Sequence, residues 1–223
     1  MSDFTGRTVV VTGACGALGA GLASAFTEAG AEVVGVDRTA PDERAMVAGV
    51  RYETADLTDD AHVAALLDGV GTPWAVVNTV GGFAPRTLLS ELDPEDLEQQ
   101  LHLNLMTAAV VTKHALRVMK PIGEGRVVLT SSKAATATQT NGFAYSVSKL
   151  AVLHLVRMAA EEVAGTGITV NGVVPSILDT PANRAAMPDS DHDRWPKIPD
   201  VVQTYVFLAS PEARLVNGAT LPV

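Results

Sequence analysis

Two side chains able to move a proton stand four residues apart in "AYSVSK": Tyr145 and Lys149. On a helix that spacing puts both on one face, a turn apart. An ammonium beside a phenol stabilises the phenolate, which predicts a Tyr145 pKa below its reference of about 10. A tyrosine so tuned passes a proton near neutral pH. "TSS" (130–132) closes an apolar run shortly before and puts Ser132 thirteen residues ahead of Tyr145. Taken alone, Y-x-x-x-K describes a surface lysine near a half-buried tyrosine equally well.

A second group is made of glycines. "VVVTGACGALGAGLASAF" (9–26) runs from an unbroken apolar stretch through Gly13, Gly16, Gly19 and Gly21 into a helical pattern. Glycine weakens strand and helix alike, so something must need the bare backbone. At a strand-to-helix turn the backbone N–H groups point out of the positive end of the helix. A pyrophosphate binds there if no Cβ blocks it. Gly13 makes the turn, Gly16 allows close contact, and Gly19 lets helix pack on strand. Asp37 ends the next apolar run, at the distance expected for a carboxylate on the adenosine ribose. Such a carboxylate accepts hydrogen bonds from both ribose hydroxyls and repels a 2′-phosphate, which favours NAD(H). Arg38 pulls the other way, because a guanidinium can pair that phosphate, and keeps NADP(H) possible.

These residues need elements to hold them. Strand-length apolar runs at 8–13, 31–37, within 73–82, 125–132, 168–175 and 218–223 alternate with helical patterns at 18–30, 61–71, 93–119, 144–164 and 200–213. Asp93 and Pro94 fit the N-cap and first turn of the long 93–119 helix. Repeated strand–helix–strand predicts an α/β fold: a single Rossmann-type, doubly wound parallel sheet of about seven strands with helices on both faces, as one domain over 1–223. The stretch 176–199, rich in Pro, Asp and Asn, is expected to be a functional loop.

Composition agrees. The chain has 223 residues, 47% of them hydrophobic and only 4% aromatic, so its apolar mass is Ala, Val and Leu, suited to strands buried on both faces. A net charge of -9 argues against nucleic acid or an anionic membrane as partner. No run is long and apolar enough for a membrane span, and the N-terminus lacks a signal-peptide pattern, so a cytoplasmic location is expected. The single cysteine, Cys15, rules out an internal disulfide, and the five histidines show no metal-like pairing. No metal is expected.

Together the glycine loop, Asp37, Ser132, Tyr145 and Lys149 resemble the short-chain dehydrogenase/reductase family, over essentially the whole chain. Further segments agree: "DLTD" (56–59), "NTVGG" (78–82), "HLN" (102–104) and "PSILDT" (175–180). The resemblance implies a hydride transfer between NAD(H) and a small carbonyl or secondary alcohol. Tyr145 would be general acid for reduction and base for oxidation. Lys149 would tune it and bond the nicotinamide ribose, Ser132 would hold the substrate oxygen, and Asn104 would order a water in the proton relay. It also implies a cofactor surface of Gly13, Cys15, Gly16, Ala17, Leu18, Gly19, Asp37, Arg38, Asp56, Leu57, Asn78, Thr79, Val80, Gly81, Tyr145, Lys149, Pro175, Ser176, Ile177 and Thr180, with Asp56 on the adenine. The chain departs from the family pattern at Ala17, Thr79, Val80 and Ser176, and its C-terminus lacks the usual Asp-Gly-Gly. None of these touches the Asn-Ser-Tyr-Lys set.

Loops 81–90, 133–143 and 176–199 would wall the substrate, with Phe83, Gln139, Phe143, Met187 and Trp195 lining it. Lys133 and Arg184 could meet an anionic group. The helices at 93–119 and 144–164 carry apolar residues on more than one face, and the family often pairs them between subunits, which implies a homodimer or homotetramer. Three other readings stand beside this one: a pteridine-type reductase, against which Ser132 counts, or an NADP(H)-dependent one; a non-catalytic NAD(P)-binding regulator; and a lyase or epimerase, for whose substrate domain the chain has no room.

Overall fold

Val9, Val10 and Val11 follow one another in β1 (Thr8–Thr12), and all three are completely buried. Their side chains alternate between two separate cores, one on each face of the sheet. Only a strand covered on both faces can carry such a run. The computed structural model describes residues 3–43, 46–83, 87–138 and 140–223.

Seven strands form one sheet in the order β3-β2-β1-β4-β5-β6-β7, every pairing parallel. They are β1, β2 (Glu32–Asp37), β3 (Arg51–Thr54), β4 (Ala75–Asn78), β5 (Glu124–Thr130), β6 (Gly167–Val174) and β7 (Thr220–Pro222). Helices α1 (Ala17–Glu28) and α7 (Ile198–Ala209) cover one face, burying Leu22, Phe26, Val202 and Tyr205 against Val9, Val11, Val77 and Val128. On the other face α2 (Asp60–Val70), α4 (Thr107–Met119) and α5 (Phe143–Glu162) bury Val63, Leu67, Val111 and Val156 against Val10, Val76, Val127 and Leu129. This is the doubly wound Rossmann-like fold. Strand order reverses between β1 and β4, and in such sheets the crevice at the carboxyl ends beside the reversal is where ligands bind.

Three local features differ from the sequence expectation. β3 has no apolar run; it is an edge strand whose side chains are mostly exposed, so no burial pattern marks it. The expected helix 93–119 is α3 (Pro94–Gln100), a π-helical turn over Leu101–Met106, and α4. Asp93 caps it through the Glu95 N–H at 3.0 Å, as its type predicts. Within 176–199 lies a short helix, α6 (Pro181–Ala186), started by Thr180 as N-cap and Pro181 at the first position.

Candidate active site

The turn between β1 and α1 is built around backbone, not side chains. Gly13 adopts φ +73, and a Cβ there would sit 2.6 Å from Thr79 Oγ1. A Cβ on Gly19 would lie 2.0 Å from the Gly13 carbonyl oxygen, so α1 can approach the turn only with glycine at both places. Gly16 is the N-cap, with no side-chain capping bond and no acidic residue in the first turn. The leading N–H groups of this helix therefore face a groove of about 560 Å³ with uncompensated positive potential.

Ten of the expected cofactor residues line that groove: Gly13, Gly16, Ala17, Leu18, Gly19, Asp37, Thr79, Val80, Gly81 and Thr180. Leu178, Pro181, Ala182 and Asn183 complete it and are not among the residues that the sequence singles out. A signal is nonetheless present: Thr180-Pro181 is a helix-start pair, and it turns α6 toward the groove. The cradle suits a dinucleotide. It offers free N–H groups for phosphates, a glycine floor that a Cβ would fill, and a carboxylate at one end. A larger groove, about 640 Å³ between α4 and α5, shares none of these residues.

Asp37 is held from both sides. Its Oδ2 accepts the Cys15 N–H at 3.0 Å and its Oδ1 the Arg38 N–H at 2.8 Å. Cys15 thus serves the loop through its backbone; its exposed thiol, raised in pKa by burial and then by Asp37, is not on the groove. Asp56 takes the Thr58 hydroxyl and N–H, which hold its carboxyl below the usual range, with the charges of His62 and Arg38 adding to this. Leu57 is a core residue. Asn78 is buried, accepting the Thr12 hydroxyl on its side chain and the Thr130 hydroxyl on its carbonyl at 2.8 Å. Its role is to join β1, β4 and β5. Pro175 accepts the Lys133 N–H at 2.8 Å, and Ser176 donates its N–H to Val223, also at 2.8 Å. Both fasten the end of β6, while Ile177 stays exposed.

The proton-handling set meets where β4, β5, the π turn and α5 converge. The Ser132 hydroxyl stands near enough to the Tyr145 phenol to act on its ionisation, and it accepts the Ala134 N–H at 3.2 Å. Lys149, one turn along α5 and buried, directs Nζ at the Thr130 carbonyl at 3.2 Å. A Cβ on Gly81 would stand 2.6 Å from Lys149 Nζ and 2.7 Å from Asn104 Oδ1, so Gly81 joins this cluster to the groove. Asn104, buried in the π turn, grips the next peptide: Oδ1 accepts the Gly82 N–H at 3.0 Å and Nδ2 donates to the Gly82 carbonyl at 3.1 Å. A π turn in a long helix often marks a functional position.

One expectation is corrected here. Burial pushes the Tyr145 phenol above its ordinary range, and the nearby Ser132 hydroxyl opposes it only in part. Lys149 does not enter that balance, because its Nζ is turned to Thr130 and its own pKa is lowered by burial to about 8.

Among the expected substrate residues, Phe83 reaches the site, its ring edge-on to Tyr145 at 5.0 Å. Phe143 opens α5 two residues before Tyr145 and is exposed. Met187 and Trp195 instead form a knot with His192, which bonds the Met187 carbonyl at 2.8 Å and lies against the Trp195 ring at 4.5 Å. Gln139 lies outside the described residues. Arg184 is not free for an anion: Asp179 takes its guanidinium in a two-pronged bond of 2.6 and 2.9 Å.

Residues 13–223 match the family model described as "Enoyl-(Acyl carrier protein) reductase". The chain is 34% identical to cis-4-hydroxycyclohexanecarboxylate dehydrogenase of Sinomonas cyclohexanicum, over 99% of this chain and 96% of the relative. The chain belongs to the short-chain dehydrogenase/reductase family. It superposes on a short-chain type dehydrogenase/reductase from Mycobacterium ulcerans with a TM-score of 0.91 at 29% identity, covering 99% of this chain and 89% of the other. It likewise matches a gluconate 5-dehydrogenase from Burkholderia cenocepacia J2315 in complex with NADP and tartrate, with a TM-score of 0.88 at 26% identity, over 99% and 94%. This short-chain dehydrogenase/reductase is an NAD(P)-dependent oxidoreductase of alcohols and carbonyls. Among the described residues no helix is long and apolar enough to cross a membrane, and no cluster of His, Cys, Asp or Glu could hold a metal ion.

Proposed function

We propose that Tyr145 is the general acid for reduction of a small carbonyl compound and the general base for oxidation of the corresponding secondary alcohol, with NAD(H) as the preferred cofactor. The observation that carries this is the gathering of Ser132, Tyr145, Lys149 and Asn104 beside a dinucleotide-sized groove, joined to it through Gly81. When bound, the cofactor supplies or accepts the hydride.

The chain's residues do the rest. Ser132 and Tyr145 present two hydroxyls to one substrate oxygen, which fixes the carbon beside it. Tyr145 donates its proton to that oxygen as negative charge develops, or takes it up in the reverse direction. The Lys149 ammonium makes the loss of that proton less unfavourable if it turns from Thr130 toward the phenol. Asn104 keeps the Gly81–Gly82 peptide beside both. Phe83, packed edge-on against Tyr145, walls the substrate on the tyrosine's side. The carboxylate of Asp37 favours two ribose hydroxyls over a 2′-phosphate. The exposed apolar residues of α5, Leu150 and Met158, support a homo-oligomer joined through α4 and α5.

The test is initial-rate oxidation of NADH and NADPH over a panel of cyclic ketones, diketones, sugars and dihydropterins, with Tyr145→Phe as control. Turnover that is faster with NADH and vanishes in Tyr145→Phe supports the reading. Undiminished turnover in Tyr145→Phe overturns it.

A further inference from the structure

We propose that Gln100 is a positioning residue for the reaction, acting through Asn104; this rests on the catalytic reading above. Gln100 closes α3 where the helix widens into the π turn, and it is 3% exposed. Its Oε1 accepts from Asn104 Nδ2 at 3.2 Å. The same Nδ2 has the Ser148 Oγ at 3.0 Å and the Gly82 carbonyl at 3.1 Å. Three acceptors around one amide nitrogen leave the Asn104 side chain a single orientation. Rotated by half a turn, its oxygen would face the fixed Gly82 carbonyl at 3.1 Å, and the Gln100 oxygen too unless that amide also rotated. A buried repulsion of that kind is expensive.

The orientation matters because of what lies beyond it. Asn104 holds both polar groups of Gly82. On one side of Gly82, Gly81 packs against Lys149 Nζ with no room for a Cβ. On the other, Phe83 sets its ring against Tyr145. One clamp therefore places the groove floor against the lysine and the aromatic wall against the tyrosine. Ser148 cannot replace Gln100 in this: its hydroxyl donates to the Tyr145 carbonyl and so only accepts from Asn104 as part of α5. Gln100 ties Asn104 to the other side, across the π turn. The sequence does not single it out, because a lone glutamine on a helix is ordinary surface chemistry.

The experiment compares Gln100→Met, nearly isosteric but without an acceptor, with Gln100→Glu, which keeps an oxygen for Asn104 Nδ2. For each, kcat, KM for the carbonyl substrate and the NADH Kd by fluorescence are measured, with the unfolding midpoint as a separate readout. Gln100→Met is expected to lower kcat about ten-fold, the scale of one neutral buried hydrogen bond, with the Kd for NADH within two-fold of the parent. Gln100→Glu is expected to recover kcat to within about three-fold. Unchanged kcat in Gln100→Met overturns the proposal, as does an equal loss in both variants that tracks the unfolding midpoint. If Gln100→Met does not fold, Gln100→Leu takes its place: kcat down about ten-fold with NADH binding kept supports the role, and unchanged kcat overturns it. Tyr145→Phe is run beside them, so failure of the catalytic reading shows as turnover surviving there, whatever Gln100 does.

Discussion

Asp37 accepts the backbone N–H of Cys15 at 3.0 Å, so the carboxylate that ends β2 is anchored on the glycine loop itself. With the Arg38 N–H on the other oxygen, the group has one orientation, and it keeps lone pairs for a ligand in the groove it lines. Replacing Asp37 by Ser should move the NADH-to-NADPH ratio of kcat/KM toward NADPH by about 10- to 100-fold, the worth of hydrogen bonds to a charged group. Parallel kinetics with the two cofactors check this. A ratio within two-fold of the parent would show that Asp37 does not meet the ribose.

Gly19 and Gly69 are both helical glycines with opposite surroundings. A Cβ on Gly19 would stand 2.0 Å from the Gly13 carbonyl oxygen, whereas one on Gly69 would meet nothing within 4 Å. Gly19→Ala must therefore shift the turn, with a destabilisation of about 1–3 kcal/mol and a clear loss of NADH affinity. Gly69→Ala should stabilise the protein by roughly 0.5–1 kcal/mol through helix propensity, with NADH binding unchanged. Denaturant unfolding and fluorescence titration of the two variants give the comparison.

These contrasts show what is legible in sequence. Val9–Val11 and Val33–Val36 announce strands buried on both faces, because a short unbroken apolar run between turn residues has few other uses. The glycine turn, Asp37 and the Tyr145–Lys149 spacing are local, and local spacing survives folding. β3 is hidden because an edge strand owes its existence to pairing with β2, which leaves no burial pattern. The π turn is hidden because its residues have the periodicity of any amphipathic helix, and it shows only in the backbone, where it turns Asn104 onto Gly82. Arg184 looks available for an anion until the fold brings Asp179 onto it. The Tyr145 pKa moves the other way because spacing says which face two side chains share, not where an ammonium points.

Lys149 carries the protein's clearest pH signature. Its pKa falls from the usual 10.5 to about 8 because it is buried. Between these values the unfolded chain binds more protons than the folded one, so stability rises with pH across this window. Below pH 8 the folded state bears the full desolvation penalty. Lys149→Met should accordingly abolish turnover yet raise stability at pH 7 by up to about 3 kcal/mol, less the lost bond to Thr130. The gap should close as pH approaches 10.5. Unfolding curves of parent and variant at pH 7, 9 and 10.5 test the sign. A Lys149→Met protein less stable than the parent at pH 7 would contradict it.

Asp179 ties the segment after β6 to the start of α7. It takes the Arg184 guanidinium at 2.6 and 2.9 Å and the Lys197 ammonium at 3.2 Å, and its carboxyl is held well below the usual range by them, Arg184 first. Its neighbour Thr180 starts α6, which walls the groove. Asp179→Asn keeps the size and loses the charge. It should raise KM for the cofactor several-fold to about ten-fold, with kcat within about three-fold, because the residue orders a binding wall rather than the reacting groups. The effect should be constant above pH 5, where Asp179 stays ionised. Equal losses in kcat and kcat/KM would place Asp179 in the chemical step instead.

Leu150, His154 and Met158 form one exposed ridge along α5, with Leu150 51% and Met158 59% exposed. Beside it runs the groove between α4 and α5, floored by Leu116, Leu155 and Ala159 and crossed at one end by the Lys120–Glu162 pair. Apolar side chains this exposed on a helix whose other face is core gain from a second surface. If two chains meet here, a charge added to the ridge must either be buried without a partner or force the two surfaces apart, and burying it is the costlier course. Met158→Glu should therefore convert a dimer or tetramer into monomers or lower-order species at micromolar concentration, with the fold intact. Light scattering after size exclusion, alongside circular dichroism, measures both. A parent protein that is monomeric at the same concentration would remove the interface, and an unchanged oligomer in Met158→Glu would move it to another face of the molecule.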